Sequence, residues 1–181
     1  MDTHMAISRN IPQAYTADLT FEAVYKDKVK TISLSDYANK YVVLIFYPFD
    51  FTVVCPTEIN AISDNKSKFE DANSVVLFVS CDSIFCHQAW MKISRADKGI
   101  KGCTWPIVSD YDRSLTQYFN IAEPAGNCAR ATVILDKKRN VVYFSVGDKR
   151  MGRSVDELLR VLHMANQIEK TGGMCECNWK K

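Results

Sequence analysis

Four short runs of apolar, mostly β-branched or aromatic residues predict buried strands. They are Tyr41–Tyr47, Val75–Ser80, Ala131–Leu135 and Val141–Val146. A continuous apolar run of this length is typical of a strand covered on both faces. The polar segment 136–140 between the last two runs is short enough to close a hairpin. A further strand, over Lys28–Leu34, is interpreted as part of an N-terminal hairpin.

Helical spacing of apolar residues fills the gaps between these runs. The predicted helices are Thr57–Asp71, Ser83–Ser94, Asp112–Phe119 and Ser154–Lys170. One face of the second carries Phe85, Cys86, Ala89, Trp90 and Ile93. We expect that face to be buried. Ser154 and Glu157 open the last helix with the spacing of a capping box. The alternation of strands and helices predicts an α/β fold, with a central mixed sheet flanked by helices.

Length and composition indicate one domain. The chain has 181 residues, of which 47% are apolar and 24% charged, as in an ordinary globular protein. A net charge of +2 gives no electrostatic basis for binding nucleic acid or an anionic membrane. The longest apolar run has nine residues, whereas a membrane span needs about 20. We predict a domain over residues 8–170 and a polar C-terminal tail over 171–181.

The cysteines point to a reducing environment. There are seven, at positions 55, 81, 86, 103, 128, 175 and 177. An odd number, in a chain large enough to fold without crosslinks, argues against a structural disulfide framework. The first ten residues lack the basic start and apolar stretch of an export signal. A cytoplasmic location is therefore expected.

Cys55 is the candidate for chemistry. After the predicted strand ends near Pro48, a short loop leads to Cys55-Pro56, and proline suits the first turn of a helix. The unpaired amides and dipole of a helix N-terminus stabilise an anion, and thus the reactive thiolate. Thr52 can turn its hydroxyl toward the sulfur, while Pro48 excludes water. The alternative is that Cys55 is only a small buried apolar residue.

Arg130 is the second candidate, because it directly precedes a predicted buried strand. An isolated guanidinium there is costly unless it is paired. Beside a thiolate, Arg130 would stabilise the anion and donate hydrogen bonds to an incoming oxygen. A surface arginine at the start of a strand explains the spacing equally well.

Two cysteines in the tail, Cys175 and Cys177, follow a pair of glycines and suit movement toward another thiol. They could instead be idle exposed thiols or two ligands of a zinc ion. Zinc would need further ligands, and Cys81, Cys86 and His87 are residues of the types that bind it. Zinc is disfavoured because Cys86 and His87 fall in or beside an apolar helical face.

These segments together resemble a known family. Phe46–Glu58, which reads FYPFDFTVVCPTE, is similar to the active-site segment of the 2-Cys peroxiredoxins, thiol peroxidases with a thioredoxin-like fold. Further similar segments follow in the same order: Phe85–Trp90, Ile107–Asp110, the strand at Arg130, Met151–Glu157, and Cys175 with Trp179. The resemblance extends from Pro12 to Trp179 and is therefore specific.

The resemblance implies a role for each matching residue in the reduction of hydroperoxides. Cys55 would be the peroxidatic cysteine, and Thr52 and Arg130 would bind the peroxide oxygens. Pro48 would shield the pocket.

Glu58 and Arg153 would orient Arg130, and Cys175 would be the resolving cysteine in the tail. The resemblance further implies a homodimer that associates into decamers, and a thioredoxin-type reductant. It implies no metal and no other cofactor.

Two departures from the family pattern change the expectation. The tail has Met174-Cys175-Glu176-Cys177 where the family has Val-Cys-Pro, so Cys177 competes for the resolving role. The loop 98–103 lacks the Gly-Gly-Leu-Gly of readily inactivated members, and no Tyr-Phe helix follows Trp179. We expect easier unwinding around Cys55 and resistance to over-oxidation.

Two other classes compete with the peroxidase. A thioredoxin-type dithiol oxidoreductase would need a second cysteine where Glu58 stands. A chaperone-like function of the oligomeric ring would be a second role of the same assembly. Light scattering, which follows the aggregation of a client protein, tests this role.

Overall fold

The computed structural model describes residues 12–17 and 19–181; the predicted domain start at residue 8 lies outside them. This part of the chain forms an α/β structure built on one seven-stranded sheet. The strands are β1 (Thr20–Tyr25), β2 (Lys28–Ser33), β3 (Tyr41–Phe46), β4 (Ser74–Ser80), β5 (Ile107–Ser109), β6 (Arg130–Leu135) and β7 (Val141–Gly147). Their order across the sheet is β2-β1-β5-β4-β3-β6-β7. The predicted central mixed sheet and both hairpins are confirmed.

The burial of each strand follows from its place in the sheet. Strand β3 pairs parallel with β4 and antiparallel with β6, and every residue of these three strands is buried. The expectation of strands covered on both faces is correct for them. It is wrong for β7, which has no fully buried residue because it lies at the edge of the sheet.

In the described part of the chain there are five α-helices. They are α1 (Cys55–Asp64), α2 (Lys66–Asp71), α3 (Ile84–Trp90), α4 (Ser114–Tyr118) and α5 (Val155–Thr171), with 3₁₀ turns at Leu34–Tyr37 and Arg95–Asp97. The helix predicted over Thr57–Asp71 is in fact two helices. Asn65 interrupts it with a non-helical backbone, and its side chain donates to the Ala61 carbonyl.

The buried face of α3 differs from the predicted one. Ile84, His87 and Trp90 are buried, whereas Phe85 is 75% exposed. The hydroxyl of Ser83 caps the helix, which therefore begins at Ile84 and ends within two turns. Because the helix is short, it buries only the side chains at every third position from its first residue, namely Ile84, His87 and Trp90.

Helix α5 begins with half of the predicted capping box. The Ser154 hydroxyl accepts the Glu157 amide, but the Glu157 carboxylate pairs with Arg160 at 2.7 Å instead of returning to the cap. Gly172, with φ of 68°, ends the helix in the left-handed region that favours glycine. The tail beyond it contains turns but no helix or strand. Among the described residues, no helix has both the length and the apolar character to cross a membrane.

Candidate active site

Cys55 lies at the first position of α1, just beyond the carboxyl end of the central strand β3. Its side chain is 1% exposed, and Pro56 follows it in the first turn. The N-cap, Val54, supplies no side-chain hydrogen bond, so the amide end of the helix is uncapped. A buried sulfur at the amide end of a helix is in a position that favours an anion.

Arg130 reaches this sulfur from the neighbouring strand. The register of β3 and β6 pairs Phe46 with Ala131, which places the first residue of β6 beside the end of β3. Arg130 is 4% exposed, so it is not a surface residue. Its Nη2 lies 3.5 Å from the Cys55 sulfur and also donates to the Lys149 carbonyl at 2.8 Å.

A buried carboxylate holds two arginines in place. Glu58, one turn along α1 from Cys55, accepts a hydrogen bond from Arg130 Nη1. It also accepts from Arg153, through the backbone amide at 2.8 Å, Nε at 3.0 Å and Nη2 at 2.9 Å. Arg153 Nη1 in turn donates to the carbonyls of Phe46 and Ala131. The guanidinium beside Cys55 is therefore fixed from two sides.

Without Cys55, the cluster of Arg130, Arg153 and Glu58 carries a net positive charge. Arg130 and Arg153 carry two positive charges, and Glu58 supplies one negative charge. Buried charges are tolerated when they are paired and hydrogen-bonded. A Cys55 thiolate would bring the net charge of the cluster to zero, and Arg130 Nη2 is placed to donate to it.

Thr52 and Pro48 both line the cavity at Cys55, together with Phe49, Val53, Asn127 and Ala129. The Thr52 hydroxyl, expected to turn toward the sulfur, donates instead to the Phe49 carbonyl at 3.1 Å. Its single proton is thus engaged within the loop. The oxygen of Thr52 keeps a free lone pair.

The structure places the tail cysteines away from this cavity. The Cys175 sulfur lies 3.9 Å from the carbonyl of Met164 in α5, and Cys177 is exposed nearby. Neither is among the residues that line the cavity at Cys55. Within a single chain, therefore, the structure does not bring Cys175 to Cys55.

A second buried network supports the loop before Cys55, and its pairing was not predicted from the sequence. Asp50 accepts from the Tyr47 hydroxyl at 2.8 Å and contacts His87 Nδ1 at 2.7 Å. His87 Nε2 faces the Val108 carbonyl at 3.2 Å. Both ring nitrogens of His87 are thus engaged by oxygen atoms of the protein. Burial, together with Asp50, raises the pKa of Tyr47 well above its ordinary value.

The zinc alternative finds no geometric support in this arrangement. Both nitrogens of His87 are engaged, and Cys86 is hydrogen-bonded to the Ser83 hydroxyl. Over residues 12–17 and 19–181, no three His, Cys, Asp or Glu side chains cluster as metal ligands would.

The fold and the site define a class of protein, the thiol-dependent oxidoreductases of thioredoxin-like fold. A buried cysteine opens a helix at the end of a central strand, with a guanidinium against its sulfur. The AhpC/TSA family profile matches residues 13–144. The chain belongs to this family.

Individual relatives agree with this assignment. A putative thioredoxin peroxidase of Encephalitozoon cuniculi (strain GB-M1) is 44% identical over 164 residues, covering 90% of this chain and 93% of the relative. The reduced 2-Cys peroxiredoxin of Plasmodium vivax superimposes with a TM-score of 0.88 at 34% identity, covering 93% of this chain and 90% of the other.

A third relative, Plasmodium yoelii Prx1a modified at the N-terminus, forms an artifactual octamer; it has a TM-score of 0.83 at 37% identity and covers 93% of this chain and 99% of its own. The resemblance to the 2-Cys peroxiredoxins and the expected thioredoxin-like fold are confirmed. The protein is a thiol peroxidase of the oxidoreductase class.

Proposed function

We propose that Cys55 is the peroxidatic cysteine and that the enzyme reduces hydrogen peroxide and alkyl hydroperoxides. One observation carries this proposal: Arg130 Nη2 lies 3.5 Å from a buried sulfur, while Glu58 and Arg153 hold the guanidinium in place. A structural cysteine has no need of a buried cation, whereas a thiolate nucleophile does.

The first step is an attack of the Cys55 thiolate on the terminal oxygen of the hydroperoxide. A sulfur–oxygen bond forms while the O–O bond breaks, and negative charge grows on the leaving oxygen. Donors already aimed at the site stabilise that charge at little cost in reorganisation, and Arg130 supplies them. Thr52 sits at the cavity wall to contact the peroxide, and Pro48 limits water. The products are a Cys55 sulfenic acid and water or an alcohol.

The sulfenic acid must then leave its buried position, because another sulfur cannot reach it there. The first turn of α1 is suited to unwinding. It lacks a side-chain cap, and its Glu58 amide meets the Val54 carbonyl only at 3.4 Å. Cys175 of a neighbouring subunit then attacks the Cys55 sulfur. A disulfide forms and water departs, and a thioredoxin-type dithiol returns both sulfurs to thiols by two exchanges.

A homodimer, with association into decamers, fits two features of the molecule. Cys175 lies outside the cavity at Cys55 in its own chain, and a second chain is the source that we propose for it. Several large apolar side chains near the active-site loop are exposed: Phe49, Phe51, Val53 and Phe85. Such a patch is typical of a protein interface.

The cytoplasm is the compartment we propose. All seven cysteines fall in the described part of the chain, and each is a free thiol. A reducing compartment keeps thiols in this state. None of the steps above draws on a metal, haem or flavin, because the sulfur and the donors of this chain supply the chemistry.

Peroxide consumption by single-turnover mixing tests the proposal. We expect Cys55→Ser to abolish it, and Arg130→Lys to lower the second-order rate constant by about 10²-fold, as loss of an aligned oxyanion donor does. Cys86→Ser, a substitution of a half-buried cysteine in α3, is the matched control and should consume peroxide normally. Normal consumption by Cys55→Ser would refute the assignment.

A further inference from the structure

The tail carries a second thiol next to the proposed resolving cysteine. Cys177 follows Cys175 by two residues. Both line one cleft beside α5, together with Arg160 and Lys180. Cys175 is half-buried there, whereas Cys177 is exposed. The steps proposed at Cys55 use only Cys175, so Cys177 is a nucleophilic side chain that they leave without a role.

The two tail sulfurs are within reach of each other because of their spacing along the chain. Two residues of extended chain span at most about 7 Å, and the Cα atoms joined by a disulfide are usually about 4.4–6.8 Å apart. Residues 173–176 form neither helix nor strand, and in the turn that follows, the Trp179 amide donates to the Glu176 carbonyl at 3.1 Å. A disulfide between Cys175 and Cys177 therefore closes by rotation within an irregular segment, and it breaks no helix or strand.

The proposed disulfide between Cys55 and Cys175 joins two sulfurs with different surroundings. Cys55 has a buried site to return to, where Arg130 Nη2 lies 3.5 Å from its sulfur. In the tail cleft, the Arg160 guanidinium is already paired with Glu157, through Nε at 2.7 Å and Nη2 at 2.8 Å. In thiol–disulfide exchange, the sulfur that is better stabilised as a thiolate leaves faster. An attack on the Cys175 sulfur therefore releases Cys55.

We propose that Cys177 is a third redox-active cysteine, which transfers the intersubunit disulfide into the tail of one chain. This inference rests on the roles proposed above for Cys55 and Cys175. The Cys177 thiolate attacks the Cys175 sulfur of its own chain; a new S–S bond forms, and the S–S bond to Cys55 of the neighbouring subunit breaks. The electron pair of the broken bond leaves with Cys55 as a thiolate, and the proton of Cys177 has gone to solvent. One disulfide replaces another, so the transfer needs no further oxidant or reductant.

The transfer also restores the active site. While Cys55 is held in the intersubunit disulfide, it stays outside its pocket and the first turn of α1 stays unwound. Once released, Cys55 returns to the position where it is 1% exposed and in contact with Arg130. The disulfide then lies in the tail, where Cys177 is exposed, and exposed or strained disulfides are the readily reduced ones. Cys55 is thus ready for a second hydroperoxide before the reductant has acted.

Time-resolved peptide mapping without reduction tests the proposal. The reduced protein receives one equivalent of hydrogen peroxide per chain, N-ethylmaleimide blocks the remaining thiols at set times, and trypsin cuts the chain. Cys55 falls in fragment 41–66, and both tail cysteines fall in the fragment that starts at residue 171. We expect the two fragments to be joined at early times. At the end of the reaction, the tail fragment should be lighter by two hydrogens, and fragment 41–66 should carry maleimide.

Matched variants separate the transfer from the function on which it rests. In Cys177→Ser, the joined fragments should form and persist, while Cys81→Ser, which changes a cysteine outside the tail, should behave as the wild-type protein does. Joined fragments that persist in the wild-type protein would overturn the transfer and leave the roles of Cys55 and Cys175 intact. Their absence in Cys177→Ser would instead contradict the proposed function, and the transfer with it. A tail disulfide that forms in Cys55→Ser would overturn the route through Cys55.

The amount of peroxide consumed without any reductant is an independent measurement. Because the transfer frees Cys55 to react again, the wild-type protein should rapidly consume two equivalents of hydrogen peroxide per chain. Dimedone, which labels sulfenic acids, should then label Cys55. Cys177→Ser should rapidly consume one equivalent and leave Cys55 unlabelled, because the sulfur stays in the intersubunit disulfide. Equal consumption and equal labelling in the two proteins would contradict the role of Cys177.

Discussion

Glu58→Gln removes the carboxylate that positions Arg130 and also removes one negative charge near Cys55, and two different rates distinguish these effects. The carboxylate Oε1 accepts from the amide and Nε of Arg153, while Oε2 accepts from Arg153 Nη2 and Arg130 Nη1. A glutamine of the same shape must put an NH₂ group at one of these two places. In either orientation, two N–H donors lose their acceptor and face another donor.

The magnitude follows from counting those lost contacts. A hydrogen bond to a charged group contributes about 1.5–3 kcal/mol, so losing two lowers the free energy of unfolding by about 3–6 kcal/mol. This agrees with the roughly 3–5 kcal/mol that breaking a buried ion pair costs. For a domain of this size, each kcal/mol lowers Tm by about 2–4 °C, so we expect a decrease of roughly 6–24 °C. Glu70→Gln, which removes the exposed carboxylate that pairs with Lys66, should change stability by less than about 0.5 kcal/mol.

In the Glu58→Gln protein, the rate of reaction with peroxide should fall, whereas the rate of alkylation of Cys55 should not. Reaction with peroxide should slow by about 10²-fold, because Arg130 loses the partner that aims its donors. Alkylation of Cys55 by iodoacetamide should stay equal or rise, because removing one negative charge leaves two cations near the thiolate. Urea unfolding, single-turnover peroxide kinetics and alkylation followed by mass spectrometry give the three readouts. An unchanged urea midpoint with normal peroxide turnover would refute the positioning role of Glu58.

Three further results are expected. Thr52→Val should slow peroxide reduction roughly tenfold, which corresponds to an increase of about 1.4 kcal/mol in the activation free energy. Thr52→Ser should keep the normal rate, and equal rates in both variants would exclude a role for the hydroxyl. Cys175→Ser should abolish the intersubunit disulfide on a non-reducing gel after peroxide, and Cys177→Ser should leave it, whereas the reverse would make Cys177 the resolving cysteine. Burial raises the pKa of Tyr37 to about 12, so stability that is present below the unfolded value of about 10 is lost as the pH rises toward 12. Tyr37→Phe should flatten that alkaline loss in urea unfolding, and identical pH profiles would contradict this.

The central part of the fold could be predicted from the sequence because its signals are local. A strand covered on both faces needs consecutive apolar residues, and β3 and β4 have them. Likewise, Cys55-Pro56 marks the start of α1 because proline needs no amide partner there. The break at Asn65 and the buried face of α3 were not predicted. Both depend on which residues pack against neighbouring helices and strands. The spacing of apolar residues along one helix does not contain this information.

By itself, the sequence determined that Cys55 would stand at the amide end of a helix, since strand, loop, cysteine and proline follow one another along the chain. Only the tertiary structure decided what faces that sulfur. Arg130 is 75 residues away from Cys55, and spacing alone left it equally well explained as a surface residue. The register of β3 and β6 brings it to the sulfur. Contacts between distant residues arise from how strands pair, which is a property of the whole sheet and not of any one segment.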